Sequence, residues 1–264
     1  MKKLVVSICA AAALAAATTA PCLAADSPWN GTWKLNQSRS QLTGDTFTLS
    51  DLGDGRIHYT NGATMDFDFA CDGKDYTTIG DQSMACTRAS DTTEDMVLKD
   101  KGVVISKTHR DLSADGKTLT STTSGTQPDG TAYTYTTVST HLSSEPGMMG
   151  KWKRVKSENS ASDVMVIKVT PPDAIHWEIP GYKESIDGKM DGTPIAVVGP
   201  RATDGLSISF KMAGPSRLTY ELKLKDKTMN EGEQVLSADG KTLTDTSWVP
   251  GKPNEKEIEV YEKQ

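Results

Sequence analysis

The sequence predicts an all-β protein made of two tandem antiparallel up-and-down β-barrels, about eight or more strands each. Three observations carry that reading. Apolar and polar residues alternate at a period of two along most of the chain. Asp-Gly and Asn-Gly pairs punctuate the alternating runs. The pattern also occurs twice: residues 112–120 read Leu-Ser-Ala-Asp-Gly-Lys-Thr-Leu-Thr, and residues 236–244 read the same nine, 124 positions later. Self-similarity of this kind marks a duplicated structural unit.

The repeat extends outward from that string. Gly31-Thr32-Trp33-Lys34 answers Gly150-Lys151-Trp152-Lys153, and Ile57-His58-Tyr59 answers Ile175-His176-Trp177. Asp72-Gly73 answers Asp191-Gly192, Arg88-Ala89-Ser90-Asp91 answers Arg201-Ala202-Thr203-Asp204, and Leu98-Lys99-Asp100-Lys101 answers Leu224-Lys225-Asp226-Lys227. The expected organisation is a signal peptide over residues 1–25, one barrel over 26–145 and a second over 146–264. Residues 142–146, ending at Pro146, form the linker, and each copy is long enough to bury its own core.

Strict alternation specifies a strand with one buried and one solvated face. Met65, Phe67 and Phe69 alternate with Asp66, Asp68 and Ala70; Leu206, Ile208, Phe210 and Met212 with Ser207, Ser209 and Lys211; Leu218, Tyr220, Leu222 and Leu224 with Thr219, Glu221, Lys223 and Lys225. The pairs beginning at Asp54, Asn61, Asp72, Asp115, Asp129, Asp187, Asp191 and Asp239 supply the positive φ angles of tight hairpins. In the nine-residue string, Leu-Ser-Ala closes one strand, Asp-Gly turns the chain and Lys-Thr-Leu-Thr opens the next. A short helical turn is expected around residues 37–42. A long meander with one apolar face must close or fold over on itself.

At the N-terminus, Lys2 and Lys3 precede a small-apolar run over residues 4–17, followed by Leu23-Ala24-Ala25, the make-up of a secretory signal and too short to span a bilayer. Pro21 spoils the lipobox that would lipidate Cys22, so lipidation is the lesser alternative. Taking Lys2 and Lys3 from the 29 basic residues leaves 27 against 35 acidic, a net charge of −8. That charge disfavours nucleic acid and anionic membrane surfaces, and no integral membrane segment is expected after cleavage. Of four cysteines, Cys9 and Cys22 fall in the signal. Cys71 and Cys86 are then most simply a disulfide, worth about 3 kcal/mol for a loop of about 15 residues. No histidine lies near them to favour a metal instead, and the second copy lacks both.

Each copy opens with Gly-x-Trp (Gly31/Trp33 and Gly150/Trp152), a placement that resembles lipocalins and related calycin barrels, in which this tryptophan plugs the closed end. The chain also resembles a family of small exported bacterial domains that open Gly-Thr-Trp-Lys-Leu-Asn, here residues 31–36. They carry an Asp-Gly-Lys-Asp-Tyr turn (72–76) and the Ser-x-Asp-Gly-Lys-Thr-Leu-Thr hairpin (113–120 and 237–244), and end near Val-Tyr-Glu-Lys-Gln (260–264). The resemblance implies architecture and structural roles for Trp33 and Trp152, with no activity attached. Against the lipocalin pattern, neither C-terminal strand has an arginine nearby to partner the first-strand tryptophan.

The chemistry-bearing residues are sparse. His58 and His176 recur at matched positions, but the alternation turns them outward beside Arg56 and Glu178; His109 and His141 complete the set. The acidic clusters Asp91/Glu94/Asp95 and Glu255/Glu257/Glu259 lack calcium-loop spacing and read as solvated faces. No nucleophile elbow, zinc-protease motif, phosphate loop or Cys-x-x-Cys is present. The expectation is therefore a non-catalytic protein without cofactor or metal. It would bind a small apolar or amphipathic ligand through the inward-facing Tyr59, Phe67, Phe69, Trp177, Phe210 and Tyr220. Three alternatives stay open: an interaction module with filled barrels, a calycin-type enzyme, and a half-barrel like periplasmic lipoprotein carriers. Trp152 is expected to pack near Val260. Oligomeric state and ligand identity are not encoded legibly.

Overall fold

The computed structural model describes residues 27–62, 65–160 and 164–264; the expected signal peptide, with Cys9 and Cys22, lies outside them. The first copy contributes β1 (Gly31–Leu35), β2 (Thr46–Gly53), β3 (Arg56–Thr60), β4 (Asp66–Ala70), β5 (Asp72–Thr77), β6 (Gln82–Ser90), β7 (Thr93–Asp100), β8 (Val103–Leu112), β9 (Thr118–Thr126) and β10 (Ala132–His141). The second contributes β11 (Gly150–Asn159), β12 (Val164–Thr170), β13 (Ala174–Ile179), β14 (Glu184–Lys189), β15 (Ile195–Ala196), β16 (Leu206–Gly214), β17 (Arg217–Leu224), β18 (Lys227–Leu236), β19 (Thr242–Trp248) and β20 (Lys256–Lys263). Single 3₁₀ turns at Gln37–Arg39 and Pro180–Tyr182 are the helical elements among the described residues.

The strands form two nearly closed ten-stranded antiparallel sheets. The fold is all-β with two barrels. Each sheet curls until its edge strands meet. In barrel one these are β4 and β5, consecutive in the chain with Cys71 between them; in barrel two they are β14 and β15, joined by a bridge from Ser185 to Val198.

The barrels do not coincide with the repeats. Barrel one runs β4-β3-β2-β11-β10-β9-β8-β7-β6-β5, and barrel two runs β14-β13-β12-β1-β20-β19-β18-β17-β16-β15. The first strand of each copy is thus inserted into the sheet of the other. Trp33 pairs with Met165 on β12 and Lys263 on β20. Trp152 pairs with Phe47 on β2 and His141 on β10. The expectation that Trp152 packs near Val260 is corrected: β1, carrying Trp33, is the strand hydrogen-bonded to β20. The segment 142–149 between the copies likewise joins two neighbouring strands of one barrel instead of bridging two barrels.

Turn chemistry explains most of the hairpins. Asp54 and Gly55 both take positive φ (54° and 75°), as do Lys101 and Gly102 (49° and 81°), the type I′ geometry that matches strand twist. The nine-residue string forms the same hairpin twice. Ser113 Oγ donates to Asp115 Oδ1 (2.6 Å) and accepts from Thr118 N (2.9 Å); Ser237, Asp239 and Thr242 repeat both bonds at the same distances. Asp187-Gly188 departs from expectation. It lies inside β14, where Asp187 holds His176, and Ile195 packs where a Gly188 side chain would be.

Each tryptophan forms the floor of a barrel. Trp33 and Trp152 are 0% exposed, and their Nε1 atoms donate to the carbonyls four residues back, of Trp29 (3.1 Å) and Met148 (2.9 Å). The missing arginine partner has substitutes on the last strands. Lys263 Nζ lies 5.0 Å from the centroid of the Trp33 ring, a cation–π contact, and the His141 ring stacks on Trp152 at 4.1 Å. Cys71 and Cys86 are disulfide-bonded, tying the β4–β5 corner to β6.

Strand exchange makes a crosswise prediction. Replacing a buried aromatic by alanine costs about 3–5 kcal/mol. Trp33→Ala should therefore strip amide-exchange protection from β12 and β20 first, and Trp152→Ala from β2 and β10. Hydrogen-exchange mass spectrometry of both variants checks this; loss confined to the copy that carries the substitution would contradict the exchange.

Candidate functional site: the barrel interiors and the seam between them

Up-and-down topology puts alternate hairpins, including both copies of the nine-residue string, at the tryptophan floors and the intervening hairpins at the opposite ends. The open ends meet. Asp129 N donates to Gly181 O (3.2 Å), Arg201 donates to Thr126 O (2.9 Å) and Lys252 Nζ to Asn61 O (2.9 Å), while the Gln37 amide brackets Asn159 with bonds of 2.6 and 3.2 Å. At this seam Arg154, on β11, binds Asp45 (2.8 Å), Tyr135 (3.1 Å) and Glu257 (3.2 Å). A cleft of about 200 Å³ there is bordered by Arg154, Trp248, Lys252, Glu255 and Glu257. Burial raises the carboxyl pKa values of Asp45 and Glu257, with Arg154 pulling both back.

Inside barrel one, an aromatic ladder runs Phe47–Tyr59–Phe67–Phe69 with ring centroids 5.2–5.9 Å apart. Phe69 is sealed in the core, whereas Phe47, Tyr59 and Phe67 stay half-buried although they share its face. Burial raises the Tyr59 hydroxyl above its ordinary range, and the Arg110 charge opposes it. Arg110 itself lies on the inward face of β8 with Ser106 and Leu112. Its side chain is 12% exposed, its Nε is buried without a hydrogen-bond partner, and its Nη1 lies 3.7 Å from Glu94.

The expected solvation of the acidic clusters holds for Asp91 and Asp95, which are exposed, and is corrected for Glu94 and the second cluster. Glu94 is 1% exposed and accepts two bonds from Arg88 (2.7 and 3.2 Å), because it sits on the inward face of β7 with Met96. In the second cluster, Glu257 is held by Arg154 and Glu259 accepts from Tyr261 Oη (2.8 Å).

Barrel two carries Trp177, Phe210 and Tyr220 on its inward face. Phe210 is buried in the core, while Trp177 and Tyr220 are half-buried and pack against it. Trp177 Nε1 is enclosed without a partner. Asp245 accepts from Tyr220 Oη and Gln234 Nε2, both at 2.8 Å, and its burial lifts its pKa to about 6. Of the six residues expected to line a ligand site, Tyr59, Phe67, Trp177 and Tyr220 thus border the barrel interiors, and Phe69 and Phe210 belong to the packed cores.

The matched histidines face outward. His58 Nδ1 lies 2.8 Å from Asp68, and His176 Nδ1 lies 2.8 Å from Asp187; His109 pairs with Asp95 and Asp111 in the same manner. Cys71, Cys86 and Glu94 converge closely enough for a metal, but both sulfurs are consumed in the disulfide and Glu94 by Arg88. Periodicity missed Arg110, Glu94 and Asp245 because charged residues are ordinarily assigned to the wet face. The repeat offset could have found two of them. Adding 124 to Arg110 gives Gln234, and adding it to Ser121 gives Asp245.

No helix among the described residues is long and apolar enough to cross a membrane. Comparison with protein-family models, curated proteins and solved structures returns no match for this chain.

The Asp245 shift has a sign that can be tested. Its folded pKa of about 6 exceeds the unfolded value, so the folded state binds this proton more tightly. The associated stability is fully present below the unfolded pKa, about 4, and is lost as pH rises to about 6, a change of roughly 3 kcal/mol. Denaturant unfolding of Asp245→Asn and the parent between pH 4 and 7 should show the variant gaining relative to the parent across that window. A constant difference would contradict a buried, proton-binding Asp245.

Proposed function

We propose that the protein is a non-catalytic binding protein that takes a small amphipathic molecule into one or both barrel interiors, as its lipocalin-like opening motifs imply. One observation carries the reading. On the inward faces, aromatic rings remain half-buried, and among them sit polar N–H groups that no protein atom satisfies: Arg110 Nε in barrel one and Trp177 Nε1 in barrel two. A folded protein rarely leaves enclosed donors unpaired, and an apolar wall with a few unspent donors is what an amphipathic ligand requires. An exported setting accords with the disulfide and the N-terminal signal.

An uncharged solvatochromic dye such as Nile red should bind saturably, at one or two equivalents per chain. Tyr59→Ala and Trp177→Ala should each weaken that binding severalfold with small changes in melting temperature. Phe69→Ala and Phe210→Ala should instead lower stability by about 3–5 kcal/mol. Absence of saturable dye binding in the parent would favour the alternative of an interaction module with filled barrels.

A further inference from the structure

The duplication supplies an internal comparison of the two barrel interiors. The nine-residue string fixes the alignment, and strand register confirms it. Arg110 on β8 lies opposite Ser121 on β9, just as Gln234 on β18 lies opposite Asp245 on β19. One copy therefore places a guanidinium and a hydroxyl at the positions where the other places an amide and a carboxyl. The second arrangement is self-contained, since Gln234 and Tyr220 both donate to Asp245. The first is not. Glu94, the nearest carboxylate, is held by Arg88 at 2.7 Å and stands 3.7 Å from Arg110.

We propose that barrel one holds an apolar monocarboxylate, its two oxygens seated on the Arg110 guanidinium and its chain against Phe47, Tyr59 and Phe67. This rests on the binding function proposed above and names the ligand class for one of the two interiors. The guanidinium fork matches the two oxygens of a carboxylate. Arg88, whose side chain is partly exposed, Arg110 and Glu94 sum to one positive charge, so a monoanion leaves the cluster neutral, whereas a dianionic head would add repulsion against the buried Glu94. Burial also works against the Arg110 charge, a cost that an incoming anion relieves. Barrel two, which has the uncharged Gln234 in place of Arg110 and the Asp245 carboxyl in place of Ser121, does not take the anion. The stoichiometry is one per chain.

The test uses the full chain with Nile red bound, displaced by dodecanoate or by its uncharged methyl ester at pH 8. Dodecanoate should bind at least tenfold more tightly than the ester, with one equivalent showing this preference. Arg110→Gln should abolish the preference while leaving ester binding within about twofold, and Arg110→Lys, which keeps the charge but not the fork, should retain part of it. Asp245→Asn should leave dodecanoate binding unchanged. If Arg110→Gln fails to fold, as judged by its thermal melt, the acid–ester comparison in the parent decides alone. Equal affinities for acid and ester in a parent that binds Nile red would overturn this inference and leave the binding function standing. An undiminished preference in folded Arg110→Gln would do the same. A parent that binds neither dye nor dodecanoate would sink both.

Discussion

The structure depends on the exchange of β1 and β11. Each sheet lacks a strand in its own repeat, and the gap is filled by the strand that opens the other. A missing central strand would leave two rows of backbone donors and acceptors unpaired and the core uncovered, costs that no local adjustment offsets. The inserted strand brings its tryptophan with it, so one element both completes the hydrogen-bond ladder and seals the floor. The open ends of the barrels meet because β1 leads into β2, and β11 precedes β12, across that seam. The contacts of Arg154, Gln37 and Lys252 then fix the rims together.

Much of the fold was legible in the sequence because its causes are local. Alternation set the strand faces, Asp-Gly and Asn-Gly pairs set turns, and the repeated string marked the duplication. The exchange was not legible, since β1 and β11 carry the same Gly-x-Trp-Lys pattern and fit either slot by register and burial. The difference lies in long-range pairing, of β1 with β12 and β20 and of β11 with β10 and β2. Alternation is blind to that. Asp187-Gly188 failed for a related reason: the pair has turn chemistry, but Asp187 is tied across the strands to His176.

The interiors were half legible. The period of two placed Tyr59, Phe67, Trp177 and Tyr220 on inward faces and the matched His58 and His176 on outward ones. It treated charged residues as solvated by rule, and that rule fails where a buried charge has a partner. Glu94 is enclosed because Arg88 meets it, and Asp245 because Tyr220 and Gln234 do. The two copies kept their floor tryptophans and the nine-residue hairpin while the polar positions between them diverged. That is the distribution expected when a scaffold is preserved and its contents are allowed to differ.

The floor contacts also give the molecule a cyclic order. At the floor of barrel one, β10 and β11 are neighbours joined by residues 142–149; at the floor of barrel two, β20 and β1 are neighbours, with Gln264 N bonded to Thr32 O and Lys263 against Gly31. The two junctions occupy equivalent places, one bridged by peptide and the other by hydrogen bonds. A circular permutant joining Gln264 to Ser27 through a short linker and opened within 142–149 would trace the same strands in the same barrels. For this architecture the order in which the strands are visited matters less than the neighbours each one meets.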